Sequence, residues 1–210
     1  MVALLTQPRR GRVMVTLAPE ATDPVTIRRL VAGGVIVSAG HTDADYDTAV
    51  AAIDAGLTGV THLFNAMSPM GHRAPGMVGA ALDDRRVYCG LIADGFHVHD
   101  AALRLALNAR PDGRLMLVTD AMPSVGALDK AFSLQGRPIQ VENGRCFGED
   151  GTLAGSDLDM AGAVRNIVAR TQADVATAAA MAATNPAAFL GLSQERGALV
   201  PGLRADWVAL

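Results

Sequence analysis

Two histidines and an aspartate each follow a short apolar run in this sequence. His41 and His62 close two successive runs, and Asp120 closes the run Leu115–Thr119. Neutral imidazole is a good ligand for Zn²⁺ and Fe²⁺, and a carboxylate beside a metal-activated water can accept and return a proton. These residue types therefore predict a metal-dependent hydrolase.

Parallel strands that alternate with helices would bring these three residues together. Apolar runs alternate with stretches of helical periodicity, beginning with a β-rich run at Val13–Leu17. This alternation is typical of βα units with right-handed crossovers. We count about five units, whereas a closed barrel has eight in about 250 residues, with its functional groups at the carboxyl ends of the strands. The sequence predicts an α/β fold, an incomplete TIM barrel of the metal-dependent hydrolase type.

Capping residues predict where the helices begin. Ser, Thr, Asp or Asn before an apolar-periodic stretch, or Pro at its first position, is typical of a helix start. The predicted starts are Asp23-Pro24, Thr42 or Asp43, Ser156 for a helix that runs to Arg170, and Asn185-Pro186 for a short helix after a predicted helix at Ala173–Ala183.

Three other segments do not follow the βα rhythm. The stretch from Leu63 to about Gly79 is rich in Met, Pro and Gly, which predicts a long functional loop. Phe132–Phe147 alternates in polarity and contains Gln-Gly and Asn-Gly turn signals, which predicts a β-hairpin excursion near residues 131–150. Asp206–Leu210 is predicted to be a final strand.

The composition of the chain indicates which kinds of partner the protein binds and in which cellular compartment it lies. The 210 residues carry a net charge of −3 and no basic run, which argues against a nucleic-acid surface. No apolar stretch approaches the roughly 20 residues of a membrane helix, and no signal-like start is present. Two cysteines do not make a disulfide framework, and Cys89 is expected to be a buried free thiol. These features predict a cytoplasmic protein that binds neither nucleic acid nor membrane.

Three further residues, His97, Arg73 and Glu20, are candidates for the same site. His97 is expected to face the pocket and bind substrate, and His99 to lie on the surface. Arg73, in the long loop, has the fork geometry that suits a phosphate. Glu20, after the first strand, is a possible third metal ligand, since a catalytic zinc usually has three protein ligands.

Six segments of the chain, taken together, resemble a known family. They are Thr16–Glu20, Ser38–His41, Thr61–Met67, Arg73–Gly76, Ala93–His97 and Val118–Ala121. In this order and spacing they are similar to the N-acetylglucosamine-6-phosphate deacetylases, a family within the amidohydrolase superfamily. The similarity covers nearly the whole chain, and the run His-Leu-Phe-Asn-Ala-Met that begins at His62 is its most specific part.

The resemblance implies roles for particular residues. His41 and His62 would bind a divalent metal, Zn or Fe(II), and Asp120 would be the proton donor and acceptor. The substrate contacts would come from Asn65, Ala66, Arg73, Asp94, Gly95, Phe96, His97, Leu153, Ala154 and Gly155. The implied reaction is hydrolysis of the acetamido group of N-acetyl-D-glucosamine 6-phosphate, giving D-glucosamine 6-phosphate and acetate in amino-sugar recycling. A homodimer is implied, because some phosphate contacts in this family come from a neighbouring subunit.

The sequence also departs from the family. The family's metal-binding Glu lies in an upstream His-x-Glu-Gly-Pro stretch that is absent here, and Glu20 matches a different position. The opening barrel strands and the first half of a small β-sandwich domain are also missing. We therefore predict a partial barrel at residues 1–195 and a returning segment of the sandwich at residues 196–210.

Two alternatives remain open from the sequence. In the first, the protein is another amidohydrolase that acts on a different N-acyl or cyclic amide; a neutral substrate of that kind would not need Arg73. In the second, it is a catalytically inactive fragment, because an incomplete barrel exposes two sheet edges.

Overall fold

The computed structural model describes residues 2–8 and 10–209. Five parallel strands form one sheet in chain order, and each neighbouring pair of strands is hydrogen-bonded. They are β1 (Val13–Leu17), β2 (Val35–Ala39), β3 (Gly59–Val60), β4 (Tyr88–Ile92) and β5 (Leu115–Val118). The predicted alternation of parallel strands and helices is confirmed, and the sheet is consistent with a partial barrel.

Helices connect the strands and complete the chain. They are α1 (Val2–Leu5), α2 (Pro24–Ala32), α3 (Tyr46–Asp54), α4 (Gly76–Asp83), α5 (Asp100–Ala109), α6 (Met160–Thr171), α7 (Val175–Ala179) and α8 (Asn185–Phe189). A 3₁₀ turn, Pro19–Ala21, follows β1, and a π-helical turn, Ala180–Thr184, joins α7 to α8.

The central strands β2, β4 and β5 are mostly buried on both faces, whereas β1, at the edge of the sheet, alternates between half-buried and exposed residues. Val37, Leu91 and Leu117 are almost completely buried, as are Ile53 of α3 and Leu103 of α5. Strands buried on both faces read as continuous apolar runs, which is why the sequence showed them clearly. The parallel register places their carboxyl ends at one edge, where the candidate residues follow.

The predicted start of α2 is confirmed, whereas the predicted start of α3 was wrong. Asp23 caps α2 through a 2.8 Å bond from the Thr26 N–H to Oδ1. Neither Thr42 nor Asp43 caps α3, because that cap is Asp45. The Thr42 hydroxyl instead donates to Glu20, and its backbone bridges to a later loop, so the chain stays extended for three more residues.

Two other predicted caps were also wrong. Ser156 ends a strand, and Asp159 caps α6. Asn185 does not cap α8, because the backbone is already helical at Thr184. The buried Asn185 side chain donates to the carbonyl of Leu115 at 2.7 Å. In both cases a tertiary contact outside the local segment decides where the helix begins.

The long loop is shorter than predicted. It begins after β3 as expected, but α4 begins at Gly76, so Gly76 to Gly79 belong to a helix. The reason is burial, because Met77 and Val78 lie in the core and their backbone groups need helical hydrogen bonds there.

The excursion after β5 is an antiparallel sheet of four strands. They are β6 (Phe132–Leu134), β7 (Arg137–Glu142), β8 (Arg145–Phe147) and β9 (Leu153–Ser156), paired in that order. Gln135-Gly136 and Asn143-Gly144 both have positive φ angles at the two turn positions, as tight hairpins require. The hairpin prediction is confirmed, and β9 brings the chain back to the barrel through a bridge between Ser156 and Ala121.

The final strand predicted at Asp206–Leu210 is not formed over residues 206–209, and Leu210 lies outside the described residues. Trp207 and Val208 are exposed, and no described strand lies beside them to share hydrogen bonds. The division at residue 196 and the sandwich segment stay predictions. Among the described helices, none has the length and apolar character that crossing a bilayer would need.

Both cysteines are buried and free, which confirms the expectation for Cys89. Its thiol lies inside β4 beside Arg110, and burial raises the pKa of Cys89 to about 12. It is therefore an inert part of the core.

Candidate active site

His41 and His62 meet at the carboxyl ends of β2 and β3. Their Nε2 atoms are 3.0 Å apart, and the two rings meet edge to face with planes at 76°. Burial lowers the pKa of His62, which favours the neutral form that binds metals. Two Nε2 atoms aimed at one point fit two ligand positions of a shared ion.

The pair is not a complete metal site. Within residues 2–8 and 10–209, no three His, Cys, Asp or Glu side chains are grouped closely enough to hold an ion. Glu20 does not complete the site, since its carboxylate accepts hydrogen bonds from the Thr42 hydroxyl and, at 2.8 Å, from the Asp43 N–H. Glu20 therefore holds the segment that follows His41 in place.

Asp120 lies at the carboxyl end of β5, on the same side of the sheet as the pair. A cavity of about 250 Å³ is lined by both His62 and Asp120. The Asp120 carboxylate is close enough to act on the pKa of His62, raising it slightly against the dominant effect of burial. The structure therefore brings the predicted base to the predicted ligands.

All three of these residues have a left-handed backbone. The φ angle is 52° at His41, 36° at His62 and 51° at Asp120. Such angles are uncommon for residues other than glycine, and each one costs free energy that the surroundings must offset. The turn at each strand end directs the side chain over the sheet edge. The sequence did not predict these turns, because glycine, the usual signal of a left-handed backbone, is absent from all three positions.

The loop after β3 is fixed to the loop after β2. The Thr42 N–H donates to the Ala66 carbonyl at 3.0 Å, and the Ser68 N–H donates to the Thr42 carbonyl at 3.0 Å. The Asn65 amide donates to the carbonyls of His62 and Leu63 at 3.2 and 3.3 Å. Asn65 and Ala66 therefore lie directly beside the histidine pair.

Arg73 lies further along the same loop and is exposed. In the described part of the chain it forms no ion pair within 4.0 Å, unlike Arg86 and Arg170. Its guanidinium is therefore available to an anion, but the structure does not join it to the histidine pair.

Asp94 and His97 form a buried dyad after β4. Asp94 Oδ1 accepts from the N–H groups of Phe96 and His97 at 2.8 and 2.9 Å, and Oδ2 lies 2.5 Å from His97 Nδ1. Burial, the largest single influence, raises the pKa of Asp94, but the bonds from His97 and Phe96 outweigh it and the pKa is lowered. The carboxylate holds Nδ1 as the donor and leaves Nε2 free to contact a ligand.

We expect Asp94→Asn to lower the free energy of unfolding at neutral pH. The pKa of Asp94 is below its unfolded value of 3.8, so the native state favours the charged form. This stabilisation is complete above about pH 4 and is lost as the pH falls through the lower, folded-state pKa. Urea unfolding of both proteins should show a gap at pH 7 that narrows below pH 4. An equal gap at all pH values would contradict this, and Asp129→Asn, at an exposed turn, is the control.

Two residues of α6 contact the backbone on either side of Asp94, in the Asp94–His97 dyad. The Asn166 amide donates to the Ala93 carbonyl at 2.8 Å. The Arg170 guanidinium packs under Gly95, where a Cβ would come within 2.7 Å of Nη1. Sequence reasoning missed both residues because they lie far along the chain and form part of an ordinary amphipathic helix.

The excursion reaches the site through two of its strands. Gly155, in β9, has φ 81°, and a Cβ there would lie 2.8 Å from the Asp120 carbonyl oxygen, so Leu153–Gly155 approaches the Asp120 turn. The Arg145 guanidinium of β8 lies over the rings of Phe147 and Phe96, 4.6 and 6.0 Å from their centroids. Arg145 thereby joins the excursion to the loop after β4, a contact that no sequence signal predicted.

The parallel sheet presents two convergent histidines and an aspartate at the ends of its strands. This combination of fold and site residues indicates the class to which the protein belongs. The chain belongs to the amidohydrolase family, whose pattern matches residues 2–210. That family is generally metal-dependent.

Individual relatives agree with the resemblance seen in the sequence. The chain is 44% identical over 200 residues to an N-acetylgalactosamine-6-phosphate deacetylase of Shewanella sp. (strain ANA-3), covering 95% of this chain and 50% of that protein. It is 42% identical to the N-acetylglucosamine-6-phosphate deacetylase of Bos taurus, covering 94% and 50%. The chain therefore spans about half the length of the curated relatives it matches.

Solved structures of similar proteins share the fold. The N-acetylglucosamine-6-phosphate deacetylase of Pasteurella multocida superposes with a TM-score of 0.89 at 36% identity, over 92% of this chain and 51% of that one. The D267A mutant of the Mycobacterium smegmatis enzyme, solved with N-acetyl-D-glucosamine-6-phosphate, superposes with a TM-score of 0.85 at 40% identity, over 92% and 52%. The family resemblance predicted from the six sequence segments is confirmed.

Proposed function

We propose that this protein hydrolyses the acetamido group of N-acetyl-D-glucosamine 6-phosphate, giving D-glucosamine 6-phosphate and acetate. The observation that carries the proposal is the meeting of His41 and His62, with Nε2 atoms 3.0 Å apart, beside a cavity that Asp120 also lines. The names of the relatives support the same substrate class.

His41 and His62 would hold the divalent metal, Zn or Fe(II). When bound, a divalent metal at such a site lowers the pKa of a water molecule and polarises the amide carbonyl. Asp120 accepts the proton of the attacking water and then gives that proton to the departing amine as the C–N bond breaks. Both proton transfers use the one carboxylate of Asp120, which lines the cavity.

The remaining residues hold the sugar phosphate. His97 presents Nε2 to the sugar because Asp94 occupies Nδ1, and Gly95 and Phe96 form the turn between them. Asn65 and Ala66 border the histidine pair, and Leu153, Ala154 and Gly155 close the site from the Asp120 side. Binding energy from the phosphate then positions the amide at the reacting centre.

Arg73 is the proposed phosphate ligand, and the proposed assembly is a homodimer. The Arg73 guanidinium is exposed and forms no ion pair within the described residues. It is therefore suited to bind a phosphate held in a neighbouring subunit. We place the reaction in the cytoplasm, since two buried free cysteines suit a reducing compartment.

A second candidate substrate is N-acetyl-D-galactosamine 6-phosphate. Two of the most similar relatives, at 44% and 43% identity, are named N-acetylgalactosamine-6-phosphate deacetylases. The two sugars differ only in the orientation of the C4 hydroxyl, so both present the same amide and the same phosphate to this site.

Acetate release from the purified protein tests the proposal. We expect turnover of N-acetylglucosamine 6-phosphate to exceed that of unphosphorylated N-acetylglucosamine by about 100-fold or more in kcat/KM, and Arg73→Ala to remove most of that preference by raising KM. Arg28→Ala, an exposed arginine on α2, is the control. No acetate from either sugar phosphate would refute the proposal, and faster turnover of the galactosamine compound would favour the second candidate. An Arg73→Ala protein with unchanged KM would favour a neutral amide substrate.

A further inference from the structure

Ser156 makes three hydrogen bonds to the backbone around Asp120. Its N–H donates to the Asp120 carbonyl at 2.9 Å, its carbonyl accepts from the Met122 N–H at 2.9 Å, and its hydroxyl donates to the Thr119 carbonyl. Ser156 is completely buried, so water does not compete for these bonds. A single residue thus binds the peptide groups before and after Asp120.

These bonds act on the strained part of the site. The φ angle of 51° at Asp120 is a left-handed conformation that costs free energy for a residue other than glycine, although aspartate adopts it more readily than most. Without the hydroxyl, the Thr119 carbonyl has no described side-chain donor. The peptide that sets the direction of the Asp120 carboxylate is then free to rotate towards an ordinary β conformation.

We propose that Ser156 is a positioning residue for Asp120, an inference that rests on the proposed function. It acts through the backbone and touches neither the substrate nor the reacting atoms. Because Ser156 is the last residue of β9, it also sets the distance between Asp120 and the Leu153–Gly155 segment that closes over the sugar.

Asp157, the residue after Ser156, is also held in place. Lys130 Nζ lies 2.9 and 3.0 Å from the two carboxylate oxygens of Asp157 and donates to the Ser124 carbonyl at 2.8 Å. The Leu158 N–H donates back to the Ser156 hydroxyl at 3.1 Å. The chain is therefore held directly after Ser156, and we expect a change at this residue to be transmitted to Asp120 rather than absorbed by the excursion.

The first test is a double-mutant cycle on acetate release. We expect Ser156→Ala to lower kcat by about 10- to 100-fold with KM changed by less than about threefold, as misplacement of a catalytic group by about an ångström does. In the Asp120→Asn background the same substitution should have no further effect, because the group that it positions is absent. Ser124→Ala, which removes another buried hydroxyl nearby, should leave kcat unchanged.

The second test does not depend on activity. The Asp120 Cα and Cβ chemical shifts report the left-handed φ, and we expect Ser156→Ala to move them towards extended values while Ser124→Ala does not. Ser156→Cys, which keeps the volume with a weaker donor, takes the place of the alanine variant if that variant does not fold. Unchanged Asp120 shifts, or an equal loss of kcat in both backgrounds, would overturn the proposal. A wild-type protein that releases no acetate would refute the proposed function, while the shifts still decide the role of Ser156.

Discussion

Asp120→Asn is expected to lower kcat for acetate release by about 10³-fold with little change in KM. General acid–base catalysis by a positioned carboxylate contributes about 10²- to 10⁴-fold, and the amide that replaces it can neither accept nor return the proton. The substitution is almost isosteric. It also breaks no described side-chain hydrogen bond, because the contacts of Asp120 to Ser156 are made by its backbone.

The matched control for this variant is Asp129→Asn. Asp129 is exposed and accepts one hydrogen bond from the Ala131 N–H, so its loss should leave both kcat and KM unchanged. The melting temperatures of the two variants should be the same as that of the wild type within a few degrees. A kcat for Asp120→Asn within tenfold of the wild type would remove Asp120 from the proton transfers.

The residues at the strand ends were predictable because the signal is local. A buried strand reads as an apolar run, and a polar residue that closes such a run must lie at the sheet edge. His41, His62 and Asp120 all fit this rule, and five parallel strands place them at one edge.

The supports of the site were not predictable in the same way. Ser156 has the sequence environment of a helix cap, and only its contact with the Asp120 turn shows that it ends a strand instead. Thr42 is also a cap by its sequence, but a hydrogen bond to Glu20 across the sheet edge keeps it extended. Each failure is a local propensity overruled by a contact with a residue distant in sequence, and each occurs within a few residues of the candidate site.

The second large effect is expected at the histidine pair. We expect the wild-type protein to retain about one Zn²⁺ or Fe²⁺ per chain after dialysis, and we expect His41→Ala/His62→Ala to lose it. Each substitution removes one of two Nε2 atoms that converge within 3.0 Å. The measurement is metal content by plasma mass spectrometry on matched samples. His72→Ala/His99→Ala removes the same number of imidazoles from exposed positions and should keep the metal.

Unfolding gives an independent reading of the same site. A ligand at about 100-fold excess over its dissociation constant adds about 2.7 kcal/mol to the free energy of unfolding, so added Zn²⁺ should raise the melting temperature of the wild type and of the control but not of the histidine double variant. A double variant that still binds and is stabilised would show that the metal lies elsewhere. A wild type that neither binds nor is stabilised would show that two imidazoles are insufficient. The third ligand would then have to come from outside the described residues, since Glu20 is already engaged by Thr42 and Asp43.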